Sequence, residues 1–439
     1  MRKKISCFTI VLFFMAQLTF GQTFSPVLSS RLQTKLDSMK TAYNIKGISA
    51  SVVYPGQGLW QGTNGFSFNN APITSDMKFG IASNTKLFTA VTLLKLAESN
   101  IINIDDSLHE WLPTFPNISG NITIRQILNH TSGIADYINV IGYTDSITSN
   151  PNRLFLPNEL ISWVGVPLFP AGTSWNYSNT NYLLAAMVAE SATGQNISQL
   201  IRTNVLIPLQ LDSTFFSVQE TISGIIAHPW QSGIDINNTP RTSLNSAAYS
   251  AGAIYSNSGN MARWYHQLMS GQLLNSNSFN QMTTFVGSGN YGFGLKLQVI
   301  GGKTCFAHDG SIRGYQSFML YDTTSEAVVC VLINANPSPV KLVAEQLLIA
   351  LNDFTLSVAE ISGSDHSITI FPNPAKTELY LNISLAEKID ISISNLLGQF
   401  LIKTNNQNHF DISTLTDGIY FVTITQGQNK QTLKFIKEH

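Results

Sequence analysis

Ser83 and Lys86 stand three residues apart in the stretch Phe79-Gly80-Ile81-Ala82-Ser83-Asn84-Thr85-Lys86-Leu87-Phe88. A short apolar strand end runs into the serine. From Thr85 to Glu98, apolar residues at Leu87, Phe88, Val91, Leu94 and Leu96 predict a helix, and Asn100 is its stop. Residues three apart share a helix face, so a hydroxyl and an amine can meet one turn in. A serine there also faces unpaired backbone N–H groups and the positive end of the helix dipole. That suits a nucleophile whose attack creates an oxyanion. The spacing alone is unspecific, because Ser-x-x-Lys recurs at Ser75–Lys78 and Ser338–Lys341. The last reads as a helix start, with Ser338 as cap and Pro339 in the first position.

Acyl transfer needs a second proton carrier, a second oxyanion donor and a wall for the substrate. The loop Phe169–Asn179 leads straight into an apolar helix pattern, so Tyr177 and Asn179 can aim a phenol and an amide into a cleft. Tyr-x-Asn also occurs at 137–139, 255–257 and 380–382, and alone it describes a packing tyrosine. His308-Asp309-Gly310 is the only His-x-Gly in the chain and ends a strand that begins near Lys303. A donor side chain followed by glycine lets a substrate backbone lie close to a strand edge. In isolation it would be an ordinary strand-to-turn junction.

In this order, the three motifs resemble the serine β-lactamase and penicillin-recognising family. The similarity is narrower to its class C branch, with the related D-alanyl-D-alanine carboxypeptidases and esterases. Ile124-Arg125-Gln126-Ile127-Leu128-Asn129-His130-Thr131-Ser132-Gly133-Ile134, the Pro-Gly loop before Tyr177, and Tyr291-Gly292-Phe293-Gly294 add to the resemblance, which covers about residues 30–352. It implies Ser83 as nucleophile of an acyl-enzyme and Lys86 as a partly buried amine that helps deprotonate it. It implies Tyr177 as partner general base and Asn179 as a hydrogen-bonding partner of both substrate and Lys86. His308 and Gly310 would form the substrate-binding strand edge, and the N–H groups of Ser83 and Ser311 the oxyanion hole.

One departure bears on substrate. Many family members carry Lys-Thr-Gly or His-Thr-Gly on this strand, whose cation and hydroxyl favour a substrate carboxylate. Here Asp309 fills the middle position, and Arg313 is the cation that could offset it. Two readings of a secreted serine hydrolase stay open. One acts on an acyl-D-Ala-like amide or a β-lactam, as a carboxypeptidase or β-lactamase. The other is an esterase or amidase acting on a substrate without the carboxylate. A third, from a different class, is a non-catalytic binding protein on the same scaffold. No Gly-x-Ser-x-Gly elbow, His-Glu-x-x-His pair or phosphate loop occurs. His130 and His266 lack metal-ligand spacing and read as structural, so no metal or cofactor is implied.

The elements that must position these residues predict an α+β fold. Helical periodicity over 25–45, a hairpin from Ile48–Tyr54 and Gly58–Asn64 around Pro55-Gly56, strands from Tyr291 to Asn334 and an apolar helix at Val340–Leu351 flank a mainly helical middle. The expected solution is one antiparallel sheet built from both ends, flanked by helices, with an inserted helical lobe. The hydrolase domain is placed at 25–355 and a linker at 356–367, where Gly, Ser, Asp and His gather.

Beyond the linker, six strand candidates at short intervals predict a β-sandwich over 368–439. Phe371-Pro372-Asn373-Pro374-Ala375, Ile393–Gln399, Asp417–Val422 and the basic ending Lys434–Lys437 resemble the C-terminal sorting domain of the type IX secretion system. That resemblance implies secretion machinery as partner and a tail removed on export, against a rival reading as a generic adhesion or sugar-binding sandwich.

Composition agrees with export. Arg2-Lys3-Lys4 and an apolar run centred on Phe8–Met15 predict a signal peptide at 1–21, exported through the periplasm to the cell surface or medium. Its loss takes the net charge from −1 to −4, and no Lys/Arg run suggests nucleic acid. Cys305 and Cys330 fall two strands apart if Lys303–Ala307, Gly314–Tyr321 and Ala327–Ile333 pair in order. That separation of about 9–10 Å exceeds disulfide reach and predicts two buried free thiols.

Overall fold

Gly47–Tyr54 (β1) carries no charge, its Ser49 and Ser51 hydroxyls are each 2.8 Å from Ser258 Oγ, and it forms a strand buried on both sides. Gly58–Phe68 (β2) returns antiparallel beside it, with Ala71–Pro72 (β3) outside, in a computed structural model that describes residues 24–359, 368–382, 389–395, 398–426 and 429–438. The signal-peptide segment, residues 360–367 of the linker and Leu396-Leu397 lie outside the described residues.

From the far end of the first unit come Lys296–Ile300 (β4), Lys303–Ile312 (β5), Tyr315–Asp322 (β6) and Val328–Ile333 (β7). They complete a seven-stranded antiparallel sheet in the order β3-β2-β1-β7-β6-β5-β4, with Ile48 opposite Ile333 and Val52 opposite Val329. Helix α1 (Pro26–Ala42) packs on β2, and its Leu28, Leu32, Leu36 and Met39 are buried. Helix α6 (Ser258–Met269) packs against β1, β6 and β7. The apolar face of α7 (Val340–Ala359) buries Val343 and Leu347, and its Glu345 accepts from Gly301 N at 3.0 Å. The α+β arrangement expected from the sequence is the one found.

Between the two halves lie α2 (Thr85–Glu98), α3 (Ile124–Leu128), α4 (Asn179–Thr193) and α5 (Thr242–Gly252). Leu87, Phe88, Val91 and Leu94 of α2 join Leu183, Leu184 and Val188 of α4 in one core. Two of the three Ser-x-x-Lys matches part company with the first. Lys78 lies in extended chain, where its N–H donates to Ile225 O and its carbonyl accepts from Ala227 N, so Ser75 and Lys78 share no helix face. Ser338 is not the cap expected: α7 starts at Val340, and Pro339 is the residue whose carbonyl takes the first helical bond, from Val343 N.

Cys305 on β5 and Cys330 on β7 are free and buried, with β6 between them. The described residues from Asn352 onward form a second unit. There, Thr369–Phe371, Glu378–Asn382 and His409–Asp411 make one sheet, and Asp390–Asn395, Phe400–Asn405, Gly418–Gln426 and Asn429–Lys437 make another. Leu379, Leu381, Ile391, Ile393, Phe410, Val422 and Phe435 fill the core of this unit. The strand His409–Asp411 was not anticipated, because three residues are too few to display alternation.

Candidate active site

A three-stranded miniature sheet presents the first motif. Phe79–Gly80 pairs with Ile254–Ser256, which pairs on its other side with Phe215–Phe216. Ile81 N donates to Ile254 O, and the chain then turns through Ala82–Asn84 into α2. Ala82 holds a φ of +49°, a region that a residue with a Cβ enters at a cost of about 1–3 kcal/mol. The strain sits next to Ser83, which is half-buried while its neighbours are buried.

One turn on, Lys86 is fully buried. Its Nζ lies 3.1 Å from Ser83 Oγ, 2.8 Å from Asn179 Oδ1 and 2.8 Å from the Ala251 carbonyl. Burial lowers its pKa to about 7, against the opposing pull of Asp136 and Asp309. Two of the three partners, the amide and peptide oxygens, can only accept. A neutral amine therefore spends both its hydrogens on them, and its lone pair is left facing the Ser83 hydroxyl. Ala251 owes its placement to a break in α5 at Tyr249, whose φ of 41° and ψ of −134° interrupt the helix.

Tyr177 and Asn179 arrive on the loop before α4. The Tyr177 ring lies 4.9 Å from Lys86 Nζ. Burial pushes its pKa well above the usual phenol value, against a downward pull from the Ser83 hydroxyl, so the phenol is protonated at neutral pH. Its ring packs in an aromatic cage with His130 at 4.4 Å and Tyr291 at 5.9 Å. His130 Nδ1 receives Ser178 N and lies 2.9 Å from Asn181 Nδ2, so this histidine, read as structural, also walls the site.

The third motif stands on β5. Strand β4 pairs with β5 only as far as Ala307 opposite Lys296, so residues 308–312 have a strand on one side alone. Gly310 has a specific cause. A Cβ there would meet Ile81 O and Ser317 Oγ at 2.3 Å each, and its absence lets β5 lie against the Ser83 turn. Ser317 clamps that turn by donating to Ile81 O at 2.6 Å and accepting from Asn84 Nδ2 at 2.8 Å. Ser83, Asn179, Ser311 and Arg313 line one cleft of about 180 Å³, together with Ile138, Tyr143 and Leu244.

His308 departs from expectation. It is buried, with Nε2 2.9 Å from the Tyr291 hydroxyl and Nδ1 2.6 Å from the Asp309 carbonyl. Burial, reinforced by Lys296, lowers its pKa to about 3. Its polar atoms serve the protein interior, so it is no free donor at the strand edge. Asp309 projects on the alternate side, exposed and 2.5 Å from Lys296 Nζ. Lys296, Tyr291, the Ala251 carbonyl and Asp136 were not anticipated as parts of the site. Two of them had a signal: Tyr291 opens the Tyr291–Gly294 stretch, and Asp136 stands two residues past the Ile124–Ile134 stretch.

Comparison with known proteins assigns each of the two units to a family. The family model described as Beta-lactamase matches residues 32–353, and that of the secretion system C-terminal sorting domain matches 369–438. Penicillin-binding protein 4* of Bacillus subtilis (strain 168) is 35% identical over 147 residues, 33% of this chain and 31% of its own. The chain spans less than two thirds of the length of the curated relatives it matches first, between 31% and 63%. Among solved structures, a D-stereospecific amidohydrolase from Streptomyces sp. has a TM-score of 0.65 and 27% identity, covering 72% of this chain and 97% of its own. A D-amino acid amidase from Ochrobactrum anthropi SV3 shares the fold with a TM-score of 0.67 and 24% identity, covering 75% and 99%.

Proposed function

Because this chain belongs to the β-lactamase family and carries a type IX sorting domain behind the hydrolase unit, we propose that it is an exported serine hydrolase working through an acyl-enzyme on Ser83. The observation that carries the reading is the Lys86 amine, held by two acceptor-only oxygens with its remaining valence on Ser83 Oγ. Lys86 takes the Ser83 proton as Oγ attacks the carbonyl carbon. The N–H groups of Ser83 and Ser311 receive the oxyanion. Tyr177, protonated in the resting site, gives its proton to the leaving group and is recharged from Lys86. Water then releases the acyl group from Ser83.

The leading substrate is an acyl-D-Ala-like amide or a β-lactam. Arg313 supports it, as an exposed guanidinium lining the cleft that can meet a carboxylate. A specific observation favours the second reading, an amidase or esterase on a substrate without that carboxylate. The strand position where relatives carry a cation holds a neutral, internally bonded His308. The two amide-hydrolysing structural neighbours fit the same alternative. Nitrocefin, a D-Ala-D-Ala peptide and p-nitrophenyl acetate assayed side by side separate the readings. Ser83→Ala should abolish labelling by a fluorophosphonate or penicillin probe, and continued labelling would sink the assignment.

The sorting domain directs the product to the surface or the medium, with the secretion machinery as partner. A mature surface protein that retained residues 370–439 would argue against removal of the tail.

A further inference from the structure

Asp136 is buried on the loop that follows α3, behind the catalytic groups. Its Oδ2 accepts from Asn179 N at 3.0 Å and from Asn179 Nδ2 at 2.8 Å, and its Oδ1 accepts from Ile138 N at 3.3 Å. Three N–H donors on two oxygens describe a carboxylate. An asparagine amide has two ends, and which end meets Lys86 decides what Lys86 can do. With Nδ2 committed to Asp136, Oδ1 must face Lys86, as it does at 2.8 Å. Were the amide reversed, Nδ2 would compete for the amine's lone pair and point it away from Ser83.

We propose that Asp136 is a positioning residue of the acyl-transfer site. By holding the Asn179 amide it directs the Lys86 lone pair onto Ser83, and as a buried anion it steadies the ammonium that forms when Lys86 takes the proton. This rests on the acyl-transfer reading above. The charged and titratable groups around Lys86 are few. Asp309 and Lys296 are ion-paired with each other, His130 and His308 are held neutral by burial, and Tyr177 and Tyr182 are protonated phenols. Among the described residues, that leaves Asp136 as the facing charge without a cationic partner of its own, reaching Lys86 through one amide.

The test is acylation of the full-length protein by a fluorophosphonate probe across pH, with rates expressed per labelled Ser83 so that a partly folded preparation still reads correctly. Asp136→Asn should slow acylation roughly 10–100-fold, the scale for partners that orient a reacting group. It should also move the acid limb of the profile to lower pH, because removing the anion destabilises the Lys86 ammonium. Asn179→Ala and the double variant complete a cycle. Because part of the Asp136 effect passes through Asn179, the double variant loses less than the product of the two single losses. An unmoved limb, or losses that simply multiply, overturns the proposal and leaves Asp136 as a cap. Ser83→Ala is assayed in parallel: labelling that survives it defeats the acyl-transfer reading itself, whereas silence there with an unmoved Asp136→Asn limb defeats only this inference.

Discussion

The Tyr291 hydroxyl donates to His308 Nε2 at 2.9 Å, and the imidazole's other nitrogen is spent on the Asp309 carbonyl at 2.6 Å. A histidine bonded in this way has no reason to ionise in the physiological range, and burial takes its pKa to about 3. Tyr291→Phe would leave a buried acceptor without its donor. We expect a loss of about 1–3 kcal/mol in unfolding free energy, read by urea denaturation. Unchanged stability would mean that the bond does not hold the ring in place.

The pH dependence of acylation follows from Lys86. In the proposed acyl transfer its neutral form is the base, and burial lowers its pKa to about 7. Rate per site should therefore fall at acid pH and rise through a single ionisation near 7 before levelling off. Lys86→Arg keeps a permanent cation and should drop acylation below detection at every pH. A profile flat from pH 5 to pH 9 in the native protein would remove Lys86 from the role of base.

Gly310→Ala tests the closeness of β5 to the nucleophile turn. The added methyl meets backbone oxygen Ile81 O and the Ser317 hydroxyl at 2.3 Å, and neither is the end of a flexible chain. The strand must retreat, and Ser311 retreats with it from the Ser83 turn. We expect destabilisation of about 1–3 kcal/mol and at least a hundredfold loss of acylation, since a shift of about 1 Å can cost that much. Thermal unfolding and probe labelling read the two effects separately. Full labelling with normal kinetics would show that the 310–311 backbone does not border the reacting carbonyl.

How much of this could be read beforehand depended on how local each cause is. Ser83 and Lys86 meet because helical geometry puts residues three apart on one face, and that is written in the spacing. The central strands were legible because β7 is apolar throughout, β1 carries no charge and the hairpin has its Pro55-Gly56 turn. Asp309 could not be placed, because the side a strand residue faces depends on register with β6, where Asp309 stands opposite Phe318. Ala251 left no mark at all, since any residue supplies a carbonyl and its position comes from the break at Tyr249. Asp136 shows no pattern of its own in the sequence, and locally it only caps the turn at Tyr137–Asn139. Its second allegiance to Asn179 spans 43 residues of chain and is visible only in the fold.

The question of substrate comes down to Arg313. Its backbone is held by Arg241, whose guanidinium donates to Arg313 O at 2.8 Å and whose Nε donates to the Tyr255 hydroxyl at 2.8 Å. The Arg313 side chain is exposed at the rim of the cleft that holds Ser83. An exposed ion pair contributes little, but a guanidinium meeting a carboxylate in a partly enclosed cleft can add about 1.5–3 kcal/mol. That corresponds to roughly ten- to a hundredfold in affinity. If the natural substrate carries a carboxylate, Arg313→Ala should raise KM for a D-Ala-D-Ala peptide by that factor and leave p-nitrophenyl acetate turnover within twofold. If the substrate lacks one, both activities stay unchanged and the amidase or esterase reading gains. Equal losses on both substrates would instead assign Arg313 to the structure of the β5–β6 turn, with no part in selecting the substrate.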